Sequence, residues 1–191
     1  MIGLIIYKNK LINLLASSLL PSLSSISLCF LMKSIHSSVS FFFSSGLEFL
    51  KTNKSAKDWF LQIETFDPHE PFFAPERFRK KFKTNYTGPR LDWPQYDRVK
   101  ETPDEVAELK ANYFALISLC DFLLGSVLDF FDENNLWEDT TLILTTDHGF
   151  MLGEHDWWAK NRMPLYNEIS HIPLFIYHPD YKHNNGQRRS V

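Results

Sequence analysis

The sequence predicts an α/β domain with a largely parallel sheet flanked by helices. Three observations predict it: an aromatic and β-branched run at residues 59–66, a long amphipathic segment after Thr102, and two apolar runs at 141–146 and 172–177. A helix between strands is typical of a sheet whose strands run parallel and whose faces are covered. The length of 191 residues fits one such domain.

The first predicted element is the strand at residues 59–66, which stops at Asp67-Pro68 because proline cannot continue a ladder of hydrogen bonds. The segment 72–100 follows, with several prolines among aromatic and charged residues. We interpret this segment as an irregular excursion over the surface.

A long helix is predicted to begin at Thr102. The Thr102 hydroxyl can cap it, Pro103 fits the first helical position, and Glu105 completes a capping box. Apolar residues then recur at steps of three and four until Asn134, which predicts roughly 30 helical residues with one wide apolar stripe. Cys120 lies on this stripe, so packing is its predicted role.

Two strands are predicted after the helix. Residues 141–146 are a nearly continuous apolar run, which is typical of a central strand covered on both faces. Residues 172–177 predict a further strand that ends at His178-Pro179.

The overall charge argues against nucleic acid as a partner. The net charge is -3 and the isoelectric point about 6.2, so the chain lacks the basic footprint that binds phosphates. The short basic run at 77–83 is interpreted as a solvated face. Two cysteines, Cys29 and Cys120, are too few for a disulfide framework and leave the redox compartment open.

The first 46 residues differ from the rest of the chain. They are rich in Ser, Leu and Phe, and the first acidic residue is Glu48. Lys8 and Lys10 precede an uncharged run at 11–32, a pattern similar to a signal peptide or a poor membrane anchor. The alternative is that residues 1–46 are foreign to the domain, through a mis-assigned start or read-through of non-coding sequence. Residues 1–32 would imply a secreted or membrane-associated protein if they act as a signal, and otherwise a cytoplasmic one.

Polar clusters follow two of the predicted strands. Asp67-Pro68-His69 comes after the first strand and Asp147-His148-Gly149 after the second. Sites in open α/β sheets form beyond the carboxyl ends of the strands, so we expect the two clusters to share one site. Asp147 offers a hard oxygen ligand and His148 a nitrogen, and Lys160 can hold an oxyanion by its charge.

Each cluster also has a simpler interpretation. Asp-His-Gly alone is also a common turn sequence. His155 is predicted to be a supporting or structural histidine, and Trp157 and Trp158 to pack rather than stack on a ligand.

Taken together, the motifs are more specific than any one of them. The segment Asp147-His148-Gly149-Phe150-Met151-Leu152-Gly153-Glu154-His155, followed by Trp158-Ala159-Lys160, resembles the second signature region of the sulfatases in the alkaline phosphatase superfamily. The segments Phe66-Asp67-Pro68-His69-Glu70-Pro71 and His171-Ile172-Pro173-Leu174 appear in the same order as in that family. The resemblance predicts that 47–191 are part of a sulfatase catalytic domain, with a partial alkaline-phosphatase-like fold.

This resemblance implies a chemistry. Sulfatases hydrolyse sulfate esters, of small molecules or sulfated glycans, at one divalent cation, usually Ca²⁺. Asp147 and His148 would be metal ligands, Lys160 would contact the sulfate, and His69 would protonate the leaving group. A cation and a lysine stabilise charge on the sulfuryl oxygens, which agrees with these roles. The histidine ligand also leaves Mn²⁺ or Zn²⁺ possible.

Several expected parts of the family site are missing from these 191 residues. The formylglycine motif Cys/Ser-x-Pro-x-Arg is absent, and Cys29 has neither the proline nor the arginine. No early aspartate pair and no Lys-x-His element is found either. We therefore expect a truncated chain that is inactive by itself and binds a cation weakly. A phosphonate monoester or phosphodiester hydrolase of the same superfamily, and a non-catalytic fragment, remain as alternatives.

Overall fold

The structure is a computed structural model that describes residues 2–8, 25–27 and 38–183. The expectations about Cys29, and about most of residues 1–37, lie outside the described residues. The strands are β1 Ile2–Lys8, β2 Ser25–Ser27, β3 Trp59–Thr65, β4 Thr140–Thr146, β5 Met151–Leu152, β6 Trp158–Ala159 and β7 Leu174–Tyr177. The α-helices are α1 Ser38–Asn53, α2 Glu76–Arg79, α3 Pro103–Glu133 and α4 Asn167–Ser170, joined by short 3-10 turns.

The main sheet has five strands in the order β2-β3-β1-β4-β7. Strand β1 pairs antiparallel with both β3 and β4, and β4 pairs antiparallel with β7. Within the described sheet, only β2 and β3 pair in parallel. The expected α/β layering is present, but the prediction of a largely parallel sheet is wrong for these residues. There are two reasons: β1 lies between β3 and β4, which run in the same direction without touching, and β7 runs antiparallel to β4.

The central strand comes from the segment that looked foreign to the domain. In β1, Leu4 and Ile6 are fully buried, and Lys8 forms an ion pair with Asp139 at 3.3 Å. Alternating exposure along the strand fits a sheet with a helix on one face. The predicted boundary between 46 and 47 falls inside α1, which packs on β3. The division of the chain at this position stays a prediction.

Helix α3 is the long core helix that the capping box predicts. The Thr102 hydroxyl accepts a hydrogen bond from the backbone N–H of Glu105, and the Glu105 carboxylate accepts one from the N–H of Thr102. By length and apolar composition this helix could cross a membrane. Here it packs against α1 and α2, and Cys120 is buried in the core as expected. The side chains of α3 that are buried are Leu109, Asn112, Ala115, Leu116, Leu119, Cys120, Val127 and Phe131.

Two hydrophobic clusters hold the layers together. The larger one joins β1, β3, α1 and α3. The smaller one lies where α3 meets the hairpin β5–β6, around Leu109 and Trp158. Segment 72–100 contributes to both, because Phe72 and Phe78 are buried in the first and Tyr96 packs against the second. This segment is therefore irregular, as predicted, but partly a component of the core.

Candidate functional site

The loops after β3 and β4 start at the same edge of the sheet. Ile2 of β1 is in register with Thr65, the last residue of β3, and with Thr146, the last residue of β4. Neighbouring strands lie about 4.8 Å apart, so these two strand ends are separated by about 10 Å. The two polar clusters at 67–69 and 147–149 thus leave the sheet side by side, as the sequence predicts.

The loop after β4 presents an oxygen and a nitrogen toward each other. The Asp147 Oδ2 lies 3.5 Å from the Nε2 of His148, and each side chain is about one-third exposed. The His148 Nδ1 lies 2.8 Å from the carbonyl oxygen of Gly149 and donates to it, which leaves Nε2 to accept. Burial acts to raise the pKa of Asp147, but the pKa lies below its ordinary value because hydrogen bonds, including one from the His148 N–H, stabilise the carboxylate.

Glycine is required at the end of this triplet for a steric reason. A Cβ atom on Gly149 would lie 1.6 Å from the carbonyl oxygen of Glu168 in α4. The Gly149 N–H also donates to the carbonyl of Ile169 at 2.8 Å. Helix α4 therefore lies directly on the Asp-His-Gly loop and fixes its course.

Lys160 follows β6 and is buried along its length, with 9% of the residue exposed. Its ammonium lies 6.0 Å from the ring centroid of Phe150, the residue after the Asp-His-Gly triplet. Within residues 2–8, 25–27 and 38–183, no hydrogen bond or ion pair engages this ammonium. An aliphatic stem in the core with an uncommitted charge at its end is suited to holding an anion.

The backbone around Lys160 is unusual. Left-handed φ angles occur at His155, Asp156, Ala159 and Asn161, with values of 52°, 64°, 67° and 79°. In the part of the chain that the structure describes, the other left-handed residue besides glycine is Asn135. Each such residue costs about 1–3 kcal/mol and persists where the surroundings enforce it, which is frequent at functional sites.

The loop after β3 holds its acidic residues in a different environment. Burial raises the pKa of Asp67 from 3.8 to about 6. His69 stacks at 4.2 Å on the ring of Phe66, and its Nδ1 donates to the carbonyl oxygen of Glu70 at 2.8 Å. Glu70 itself is 1% exposed, and its carboxylate accepts a hydrogen bond from the hydroxyl of Tyr96.

An aromatic cluster joins the two loops. The ring of Phe72, just after the first loop, lies 5.5 Å from the ring of Phe150, just after the second. Tyr113 of α3 contacts both, at 5.2 and 6.2 Å. Because Lys160 lies beside Phe150, this cluster places the segments that carry His69, Asp147, His148 and Lys160 around one part of the sheet edge. The two loops are therefore neighbours, and the prediction that their polar residues share one site stays a prediction.

The remaining aromatic and histidine predictions concern support. Trp158 is fully buried, and its indole N–H donates to Glu101 at 2.7 Å. Trp157 packs beneath the guanidinium of Arg98 at 4.2 Å. The packing roles predicted for both tryptophans are confirmed.

The predicted supporting role of His155 is also visible. Its ring stacks on Tyr166 at 4.0 Å and its Nε2 lies 3.4 Å from a carboxylate oxygen of Glu168. His155 therefore braces the lysine loop against α4.

Sequence reasoning missed Glu70 and Tyr96. The pattern Pro68-His69-Glu70-Pro71 contains the acid beside the histidine, which was the available signal for Glu70. Tyr96 carries no such signal, because it is 26 residues away in the irregular segment.

Asp147 and His148 place two donor atoms at a spacing that fits a divalent cation. Ligands at right angles around Ca²⁺ stand about 3.4 Å apart for bonds of about 2.4 Å, close to the 3.5 Å between Asp147 Oδ2 and His148 Nε2. A histidine that ligates a metal usually donates its other N–H to a carbonyl, as His148 does. Among the described residues no three His, Cys, Asp or Glu side chains converge. The pair fits part of a cation site.

Comparison with known proteins identifies the family. The profile of the sulfatase family matches residues 35–190, and the chain belongs to that family. The match starts before the boundary at 46 that the sequence motifs predicted and includes the whole of α1.

Individual relatives agree with the family assignment. The chain is 30% identical over 160 residues to iduronate 2-sulfatase of Homo sapiens. The matched region covers 70% of this chain and 28% of that protein. The chain is 28% identical over 176 residues to the multifunctional alkaline phosphatase superfamily protein PehA of Trinickia caryophylli, covering 77% and 34%. The chain thus spans about a third of the length of these relatives.

A solved structure gives the same result for the fold. The chain superposes on a crystal structure of a protein named as a sulfatase, yidJ from Bacteroides fragilis, with a TM-score of 0.58 and 25% identity. The superposition covers 75% of this chain and 31% of that one. The coarse prediction of an α/β, alkaline-phosphatase-like fold is therefore confirmed.

Proposed function

We propose that this chain supplies one half of the active site of a sulfuric ester hydrolase. In this proposal Asp147 and His148 hold a divalent cation, most simply Ca²⁺, and Lys160 binds the sulfate oxygens. His69 protonates the departing oxygen. The substrate would be a sulfate ester of a small molecule or a sulfated glycan, as the family assignment implies.

The observation that carries the proposal is the convergence of three segments at one sheet edge. Strands β3 and β4 end in register with the same residue, Ile2. Phe72 and Phe150 then bring the two loops together, and the ammonium of Lys160 lies beside Phe150. A cation donor pair, an ammonium and a histidine are the groups that a developing sulfate charge and a leaving alkoxide require.

Each residue has a distinct chemical task in this proposal. A bound cation would act as a Lewis acid on a sulfuryl oxygen, with Asp147 and His148 as its ligands. The charge of Lys160 would stabilise the negative charge that builds up on the leaving oxygen. The His69 Nε2 is free to carry a proton toward that oxygen, because Nδ1 already donates to the Glu70 carbonyl.

The chain by itself is proposed to be inactive, because the formylglycine motif is absent from its 191 residues. The test is hydrolysis of 4-nitrophenyl sulfate by the purified chain with added Ca²⁺, for which we expect no turnover above buffer. Turnover that survives removal of Cys29 but is lost in Asp147→Ala or Lys160→Ala would overturn the inactivity proposal.

Cation and oxyanion binding can be tested without turnover. Thermal melting in Ca²⁺, followed by titration of sulfate, is expected to stabilise the wild type and to fail in Asp147→Asn for the cation and in Lys160→Met for sulfate. Asp156→Asn is a matched control, since this exposed carboxylate lies in the loop that leads to Lys160 and pairs with Arg98 of the segment 72–100. No shift in the wild type at millimolar Ca²⁺ would instead favour a non-catalytic fragment.

A second candidate is hydrolysis of phosphonate monoesters or phosphodiesters. It is favoured by the similarity to PehA, whose name describes a multifunctional member of the alkaline phosphatase superfamily. Titration of the Ca²⁺-loaded chain with sulfate and with methyl phosphate separates the two. Tighter binding of methyl phosphate would favour this second candidate over the sulfatase function.

A further inference from the structure

A buried carboxylate lies directly beside His69. Glu70 is 1% exposed, and its Oε1 accepts a hydrogen bond from the Tyr96 hydroxyl. Its Oε2 is buried, lies 3.3 Å from the His69 Nδ1, and forms no hydrogen bond within the described residues. A carboxylate without full partners is costly to bury. Its position against the imidazole therefore calls for an explanation beyond packing.

The contacts of His69 determine which ring nitrogen carries the proton. The Glu70 carbonyl oxygen, 2.8 Å from Nδ1, can only accept, so Nδ1 must be the donor. The nearby Oε2 adds negative charge on the same side of the ring. This charge reinforces the Nδ1–H tautomer. Nε2 is then the nitrogen left to exchange a proton with a ligand.

Three hydrogen bonds hold the segment that carries Tyr96. The segment that carries it is fixed by the bond from the Phe72 N–H to the Asp92 carbonyl at 2.7 Å. The Asn112 amide of α3 donates to the Leu91 carbonyl at 2.7 Å, and the Trp158 N–H donates to the Asp97 carbonyl at 3.0 Å. The ring of Tyr96 packs in the cluster with Trp158 and Ala159, next to Lys160. The Tyr96 hydroxyl is thus held beside Glu70.

We propose that Tyr96 and Glu70 are positioning residues that hold His69 as a proton donor with Nε2 directed away from Glu70. This proposal rests on the proposed function, since it assumes that His69 delivers a proton. In this proposal the irregular segment 72–100 influences the reaction through the Tyr96 hydroxyl. Glu70 sets the tautomer and orientation of the ring, and Tyr96 sets the position of Glu70.

Other charged groups near this sheet edge must be controlled in a test of the His69 tautomer. Besides the two proposed positioning residues, the titratable and charged groups are Asp67 on the same loop, Tyr113 and Cys120 on α3, and Asp147, His148 and Lys160 across the edge. A chelator in the buffer keeps stray cations from the Asp147–His148 pair. The measurement is NMR of the full chain labelled at histidine, with His69→Gln to assign the signal.

Two variants are expected to change the tautomer of His69 in the same direction. Glu70→Gln removes the negative charge beside Nδ1, and Tyr96→Phe frees that carboxylate from its anchor, so both should lower the ratio of the Nδ1–H to the Nε2–H form several-fold, Tyr96→Phe by less. In the double variant Tyr96→Phe should add nothing to Glu70→Gln, because Tyr96 acts through Glu70. A purely structural contact would not give this dependence. The ¹⁵N shifts of neutral His69 should also report the Nδ1–H tautomer in the wild type.

Glu76→Gln is the control. This carboxylate lies six residues after Glu70, is exposed and pairs with Arg79. The variant should leave the His69 tautomer unchanged. An unchanged tautomer ratio in Glu70→Gln, or a further change when Tyr96→Phe is added to it, would overturn the proposal. If Glu70→Gln does not fold, an unchanged tautomer ratio in Tyr96→Phe overturns it alone. None of these results depends on cation or sulfate binding, so they are distinguishable from a failure of the proposed function.

Discussion

The loops after β3 and β4 leave the same sheet edge, yet they treat their acidic residues in opposite ways. The first loop buries its acids: burial raises the pKa of Asp67 to about 6, and Glu70 is almost inaccessible. The second loop leaves the carboxylate of Asp147 about one-third exposed, with a lowered pKa. A carboxylate that stays charged and accessible suits a cation, whereas buried acids beside a histidine suit the control of a proton.

The largest expected effect tests how firmly the second loop is fixed. Gly149→Ala places a Cβ atom 1.6 Å from a backbone oxygen of Glu168, and backbone cannot swing aside as a flexible side chain can. We expect a loss of more than about 3 kcal/mol in the free energy of unfolding, measured by urea denaturation.

Gly125→Ala is the matched control for that change. Gly125 lies inside α3, and a Cβ atom there meets nothing within 4 Å. Because alanine favours a helix over glycine by about 1 kcal/mol, this variant should be slightly more stable than the wild type. A Gly149→Ala protein with wild-type stability would show that α4 does not press on the Asp-His-Gly loop.

The next effect tests the buried environment of the first loop. Asp67 has a raised pKa in the folded chain, so its folded state favours the neutral form. Its cost is absent well below the unfolded pKa of 3.8, grows as the pH rises toward 6, and reaches about 3 kcal/mol above that. Asp67→Asn should therefore stabilise the chain most at about pH 8 and hardly at all at about pH 3.

Chemical denaturation of wild type and Asp67→Asn across this pH range measures the difference directly. Asp180→Asn is a suitable control, because this carboxylate is well exposed. A stability difference between Asp67→Asn and wild type that does not change with pH would mean that Asp67 is as well solvated as Asp147, and the contrast between the loops would fail.

The smallest effect separates the loops by their response to Ca²⁺. For a dissociation constant of about 1 mM, about 10 mM Ca²⁺ stabilises the folded chain by about 1.4 kcal/mol, or a rise in Tm of about 4 °C for a chain of this size. Asp67→Asn should keep this rise, and Asp147→Asn should lose it. Differential scanning calorimetry measures the rise in Tm. An equal loss of this rise in both variants would place the cation between the loops instead of on the second loop alone.

The local elements could be read from the sequence because their signals are local. Helix α3 begins at Thr102 with its capping box and ends within a residue of the predicted end, since hydroxyl caps and apolar steps act over a few residues. The strands β3 and β4 and the two polar loops behind them were predicted in the same way. The family resemblance carried by residues 147–160 is confirmed by the family match.

What the sequence determined by itself was the elements β3, α3, β4 and β7, their order, the family and the candidate site residues His69, Asp147, His148 and Lys160. Only the tertiary structure decided that residues 2–8 form the central strand, which turns a parallel arrangement into antiparallel pairs. Only the tertiary structure places Tyr96 beside Glu70. It also gives Asp67 a raised pKa and Asp147 a lowered pKa in two loops of similar sequence. The physical reason is that strand pairing, burial and desolvation depend on residues far apart in the chain, and no local pattern encodes which distant partner will cover a given carboxylate.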